Sequence, residues 1–233
     1  MYNRDYLSNQ SSQYTQESSQ VQLMSFLKAT YQLFAGSLLA ATAGAYIGLG
    51  IVSILMGPMK WVLFGLELVL IFFVIPKVKH TPGVNLAVLF AFTFITGLTI
   101  APLLTSIFAM PDGAAIVGQA FLMTSIAFGG ISMFAMTTKR DFSSMGKFLF
   151  IALIIMIVAG ISNIFIQSSM MQLAIASVSA LLFSAFILFD TQNIIKGGYD
   201  SPVEAALSLY LDFFNLFISL LQILGIMNSG DKE

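Results

Sequence analysis

Residues Phe148–Ile166 read FLFIALIIMIVAGISNIFI, 19 positions without a charge, bounded by Lys147 and Gln167. As a helix, this run would be about 28 Å long at 1.5 Å per residue, close to the ~30 Å hydrocarbon thickness of a bilayer. Lipid offers the backbone no hydrogen-bond partner, so a continuous run of this length must satisfy its own amides as an α-helix. Six more apolar runs flank it: Ala29–Leu55, Met59–Ile75, Val84–Phe108, Ala114–Met136, Gln172–Gln192 and Val203–Met227. Gly57-Pro58, Pro76 with Pro82-Gly83, Pro111-Asp112-Gly113, and Gly197-Gly198 with Pro202 punctuate them. The expected fold is an all-α integral membrane protein of seven transmembrane helices. Residues 29–227 form the membrane domain, and 228–233 a short C-terminal tail.

Composition supports this reading. Of the 233 residues, 58% are hydrophobic and 9% charged, against roughly 25% charged in a soluble domain. Mean hydropathy is +0.90. Ten basic and eleven acidic side chains cannot cover a soluble surface of this size, which excludes a soluble enzyme and a nucleic-acid binder. The absence of cysteine removes disulfides and thiolate chemistry, and the single histidine, His80, removes any multi-histidine metal site. Residues 1–28 differ in kind. Up to Gln22 they are rich in Ser and Gln, too polar to offset the entropy of ordering, and they are expected to form a disordered cytoplasmic tail.

Charge sets the orientation. Arg4, Lys28, Lys77, Lys79, Lys139, Arg140, Lys147 and Lys196 fall on one side of a seven-span topology, and Lys60 and Lys232 on the other. Cytoplasmic loops carry the excess of Lys and Arg, so the N-terminus is expected inside and the C-terminus outside. The chain's length and the absence of a targeting signal point to a bacterial cytoplasmic (inner) membrane. In the first span Gly36, Ala40, Gly44 and Gly48 recur every four residues, a face on which helix backbones approach closely in lipid.

Ionisable groups inside a membrane are costly and mark function. Three acidic residues lie within the spans: Glu67, Asp190 and Asp212. On the last helix Glu204, Ser208, Asp212, Asn215, Ser219 and Gln222 follow one another by steps of three or four, one polar stripe on an otherwise apolar helix. Asn and Ser alone would suffice for a packing seam, so the aspartate favours a lined polar path through Ser208, Asn215 and Ser219. Asp190 is either a carboxylate snorkelling from a helix end or a partner of Asp212, because a short connection makes helices six and seven antiparallel neighbours. Two carboxyls in contact in a dry site share a proton and form a pH sensor. They are also attractive to a hard divalent cation. Glu67, in mid-span, is a protonated hydrogen-bonder or a further residue of the ion path. An intramembrane aspartyl protease would need Gly-x-Gly-Asp, where Leu209-Tyr210-Leu211 precedes Asp212, and a retinal protein would need a lysine that Val203–Met227 lacks. No enzyme is expected.

The run LLFSAFILFDTQ (Leu181–Gln192), followed by AALSLYLDFFNLF (Ala205–Phe217), resembles the Bax inhibitor-1 family, the transmembrane Bax-inhibitor-motif proteins. The resemblance covers roughly Ala29 to Met227. It implies six helices arranged around a central C-terminal helix and a pH-sensitive calcium leak governed by an aspartate pair, to which Asp190 and Asp212 correspond. On this reading calcium is the permeant ion, held transiently by those two carboxylates, and there is no resident cofactor. The expected partners are the lipid bilayer, calcium ions and, as for bacterial relatives, a membrane-bound ATP-dependent protease, with no nucleic acid. The alternative is a non-conducting regulator that binds such a protease or other membrane proteins. The odd number of spans carries a direct test. Reporter fusions at Gln22 and at Glu233 should report opposite compartments, and agreement between them would exclude seven spans.

Overall fold

The computed structural model describes residues 4–230, with side chains over 20–229. It contains α1 (Arg4–Gly50), α2 (Met59–Val78), α3 (Val84–Phe108), α4 (Gly113–Thr137), α5 (Gly146–Ile166), α6 (Ser169–Ile195) and α7 (Pro202–Gly230). Seven helices are long and apolar enough to cross a membrane, and the described residues include no strand. The protein is an all-α integral membrane protein.

Three boundaries differ from expectation. Residues 4–28, read as disordered, continue α1 as helix, and Phe26 and Leu27 already pack against the core. The segment contains no Gly or Pro, and a helix already nucleated by its apolar half propagates at little further cost. The second span does not stop at Ile75 but passes through a π-helical turn, Leu70–Val74, and carries Pro76 within it. The wider turn accommodates a proline that would interrupt α-helical bonding. At the other terminus residues 228–230 still belong to α7, and 231–233 lie outside the described residues.

The last helix is the axis. It packs against α1, α3, α4 and α6, while α2 leans on α3 and α5 on α6. Among the described residues α2 buries only Ile75 and α5 only Leu149, whereas α7 buries Ala205, Ala206, Leu209, Tyr210 and Leu221 completely. The central place of the C-terminal helix is the one expected, with four helices directly on it and two outside them. Phe34 of α1, Phe128 of α4 and Phe213 of α7 form an aromatic triangle around it, with ring centroids 4.9, 5.7 and 5.6 Å apart. The outer faces carry exposed apolar side chains such as Phe165, Leu181 and Phe150, as a lipid-facing surface must.

The glycine face of α1 meets α3. A methyl group at Gly44 would strike the backbone carbonyl of Phe94, and one at Gly97 that of Ala41. Gly48 faces the Leu98 carbonyl, the group that Pro102 leaves without its usual i+4 donor. Gly44→Ala and Gly97→Ala should each destabilise the protein in detergent by ~1–3 kcal/mol through overpacking. Gly129→Ala, at a helical glycine whose added methyl meets nothing within 4 Å, should be neutral or gain up to ~1 kcal/mol. Thermal unfolding of the three variants separates close approach from simple loss of glycine.

Candidate functional site

Asp190 stands five residues before the end of α6, and Asp212 ten residues after the start of α7. The six-residue linker 196–201 absorbs the difference, and the two carboxyls lie within hydrogen-bonding reach of one another. Both are buried, at 7% and 4% exposure. The snorkelling alternative for Asp190 therefore fails: its side chain turns into the bundle. Asp212 Oδ2 is buried, and no N–H or hydroxyl of another described residue donates to it. Out of water an acceptor without a donor is costly, and the group beside it is the Asp190 carboxyl.

The linker passes over the pair. Gly197 supplies a turn at φ 74°, and the Tyr199 hydroxyl that follows lies near the Asp190 carboxyl and Ser208. Burial, and then the negative charge of Asp190, push the Tyr199 phenol up from its ordinary value, so at neutral pH it is a hydrogen-bond donor. Next to it Asp200 pairs with Lys79 of the α2–α3 connection at 3.0 Å, and Lys79 also reaches Glu204 at 3.5 Å. Lys79 holds the Asp200 carboxyl below the usual range, mainly through that hydrogen bond. In turn Asp200, ahead of Glu204, raises Lys79. A lowered carboxyl contributes above its unfolded value and loses its effect as pH falls; a raised ammonium loses its effect as pH rises through the folded value. The strap therefore holds across neutral pH.

The remaining predicted residues do not form one lane. Glu204 faces Lys79, Ser208 faces Tyr199, and Asp212 faces Asp190. Asn215 donates to the Leu211 carbonyl at 2.7 Å and Ser219 to the Asn215 carbonyl at 2.7 Å, both within α7. Glu67 accepts a 2.6 Å bond from Thr99 of α3, not from α7. It shares with Thr99 and Asn215 a cavity of about 250 Å³. Gln222 opens on a different cavity, between α5, α6 and α7. The stripe drifts around the helix and touches several neighbours because the central helix has protein on most sides.

Two features were not foreseen. Tyr210, fully buried, donates to Thr96, which donates to the Thr93 carbonyl at 2.8 Å; this fixes α7 against α3 two residues before Asp212. The signal was present, because a tyrosine within a lipid-spanning motif needs a partner for its hydroxyl. Gln192 accepts from Phe142 N–H at 2.9 Å and donates to the Arg140 carbonyl at 2.8 Å. Its partners lie 50 and 52 residues away in sequence, and no pattern announces them. Among the described residues no three His, Cys, Asp or Glu side chains converge.

A seven-helix membrane protein built on a central C-terminal helix, with a buried acidic pair between its last two helices, is the class that fold and site define. The sequence model of the family described as "Inhibitor of apoptosis-promoting Bax1" matches residues 23–229, and the chain belongs to this Bax inhibitor family. A protein of Campylobacter jejuni is 50% identical over 232 residues, spanning 98% of this chain and 99% of its own. A membrane protein of Vibrio cholerae is 44% identical, over 88% and 91% of the two chains. Protein lifeguard 4 of mouse is 34% identical, over 88% and 86%. The Tyr210 contact gives a test. Tyr210→Phe and Thr96→Val should each cost on the order of 1 kcal/mol, and the double variant less than their sum because they share one bond. Additive losses in detergent unfolding would show the two hydroxyls to be independent.

Proposed function

We propose that the protein is a pH-sensitive calcium (cation) leak channel of the cytoplasmic membrane, gated by the proton-sharing pair Asp190 and Asp212, with its basic end cytoplasmic. The supporting observation is the contact between two buried carboxyls, one of whose oxygens receives no N–H or hydroxyl from any other described residue. Sharing a proton lets one carboxyl donate to the other, a short charge-assisted bond that ties α6 to α7. Loss of that proton sets two negative charges in contact, and their repulsion favours separation or capture of a cation. Ca²⁺ takes 6–8 oxygen ligands. Two carboxylates and the Tyr199 hydroxyl supply fewer, which suits an ion passing through better than one residing there. Glu67 and Asn215, on their separate cavity, are a candidate second polar step of the path, and Ser208 and Ser219 line α7 above and below the pair.

Calcium flux into proteoliposomes between acidic and neutral pH tests the reading. Wild type should show pH-dependent flux. Asp190→Asn and Asp212→Asn should each flatten the profile, since an amide does not titrate, and the double variant should resemble the singles because the pair acts as a unit. An unchanged profile in both singles would remove the pair as sensor and turn attention to Glu67. No flux from wild type at any pH would replace the channel with a non-conducting regulator that binds a membrane-bound ATP-dependent protease or other membrane proteins.

A further inference from the structure

The loop between α4 and α5 is held more firmly than its connecting role requires. Gln192, 4% exposed, clamps it through the Arg140 carbonyl and the Phe142 amide. Lys196 reaches both Asp141 and, at 2.9 Å, the Ser143 hydroxyl. Phe142 then lays its ring against Phe134 of α4, with centroids 6.4 Å apart. Phe134 and its neighbour Met133 are 51% and 65% exposed on the lipid-facing side. The loop is thus fixed at the boundary between the apolar belt and the basic end.

Beside it lies a cavity of about 300 Å³, lined by Lys139, Arg140, Lys196, Asp141, Thr138 and Gln192 among others. Asp141 is matched by Lys196, whose hydrogen bond, ahead of those from Ser143, holds the carboxyl well below its ordinary value. Lys139 and Arg140 make no ion pair among the described residues. The lining therefore carries a net charge of +2, three cations less one anion. Its walls also include the apolar Met136 and Ile195. A guanidinium and an ammonium displayed side by side at the headgroup level suit a phosphodiester, and the apolar flank suits the glycerol and first methylenes attached to it.

We propose that this cavity is a binding site for the headgroup of an anionic phospholipid, with Lys139 and Arg140 holding the phosphate and Gln192 positioning the loop that carries them. A free anion would gain nothing from the apolar flank, and a cation field without order would gain nothing from the Gln192 clamp.

The probe is dioctanoyl-phosphatidylglycerol, titrated against dioctanoyl-phosphatidylcholine and inorganic phosphate, with purified full-length protein in neutral detergent. Wild type should prefer the anionic lipid about ten-fold or more, the scale expected when two cations act near a lipid surface. Lys139→Gln with Arg140→Gln should abolish most of that preference. This variant alters only exposed side chains and keeps the Gln192 clamp, so it should unfold like wild type. Lys28→Gln with Lys77→Gln removes as much charge from the same end and should leave the preference unchanged. Gln192→Leu should weaken it with both cations retained. Equal affinity for the two lipids, an equal loss in the Lys28 and Lys77 variant, or inorganic phosphate binding as tightly as the lipid would each overturn the proposal.

Discussion

Asp190 and Asp212 meet out of water, where a charged side chain at the middle of a helix costs at least ~2.5–3.5 kcal/mol. The surrounding structure is organised to make that contact tolerable. Only a helix enclosed by other helices can keep a carboxyl away from lipid, and α7 is enclosed by α1, α3, α4 and α6. The close approach of α1 to α3 through Gly44 and Gly97 compacts one side of that enclosure. The aromatic triangle of Phe34, Phe128 and Phe213 fills another.

Three consecutive residues on α6 distribute the consequences. Asp190 turns to α7, Thr191 donates to Ser132 of α4 at 3.3 Å, and Gln192 holds the α4–α5 loop. The residues that follow Asp190 on α6 thus touch α4 and, through Gln192, a loop at the membrane surface. On the other side Tyr199 links the same pair to the linker whose Asp200 is strapped to Lys79. Contacts of the pair and of its sequence neighbours thus extend to two surface loops, both on the basic end. α2 and α5, which bury a single residue each, complete the lipid-facing surface without taking part in these connections.

Several properties were legible without coordinates. Spans longer than seventeen apolar residues can only be helices in lipid, so number, order and approximate limits of the seven helices follow from hydropathy. The small-residue face on α1 follows from spacing, and Asp190 and Asp212 stand out because charge in a membrane is rare. What helix periodicity could not supply was the azimuth of each polar group relative to its neighbours. The stripe on α7 reads as one lane in sequence. In the folded bundle Glu204 goes to Lys79, Ser208 to Tyr199, Asp212 to Asp190, and Asn215 to the Glu67 cavity. The α1 extension and the passage of α2 beyond Ile75 were hidden because composition and proline suggest breaks that an established helix can propagate through. Hydrophobicity and charge are local, additive properties that a sequence states outright. The pairing of Gln192 with a backbone fifty residues away, and of two aspartates on neighbouring helices, depends on relative rotation and depth, which only the packing of all seven helices decides.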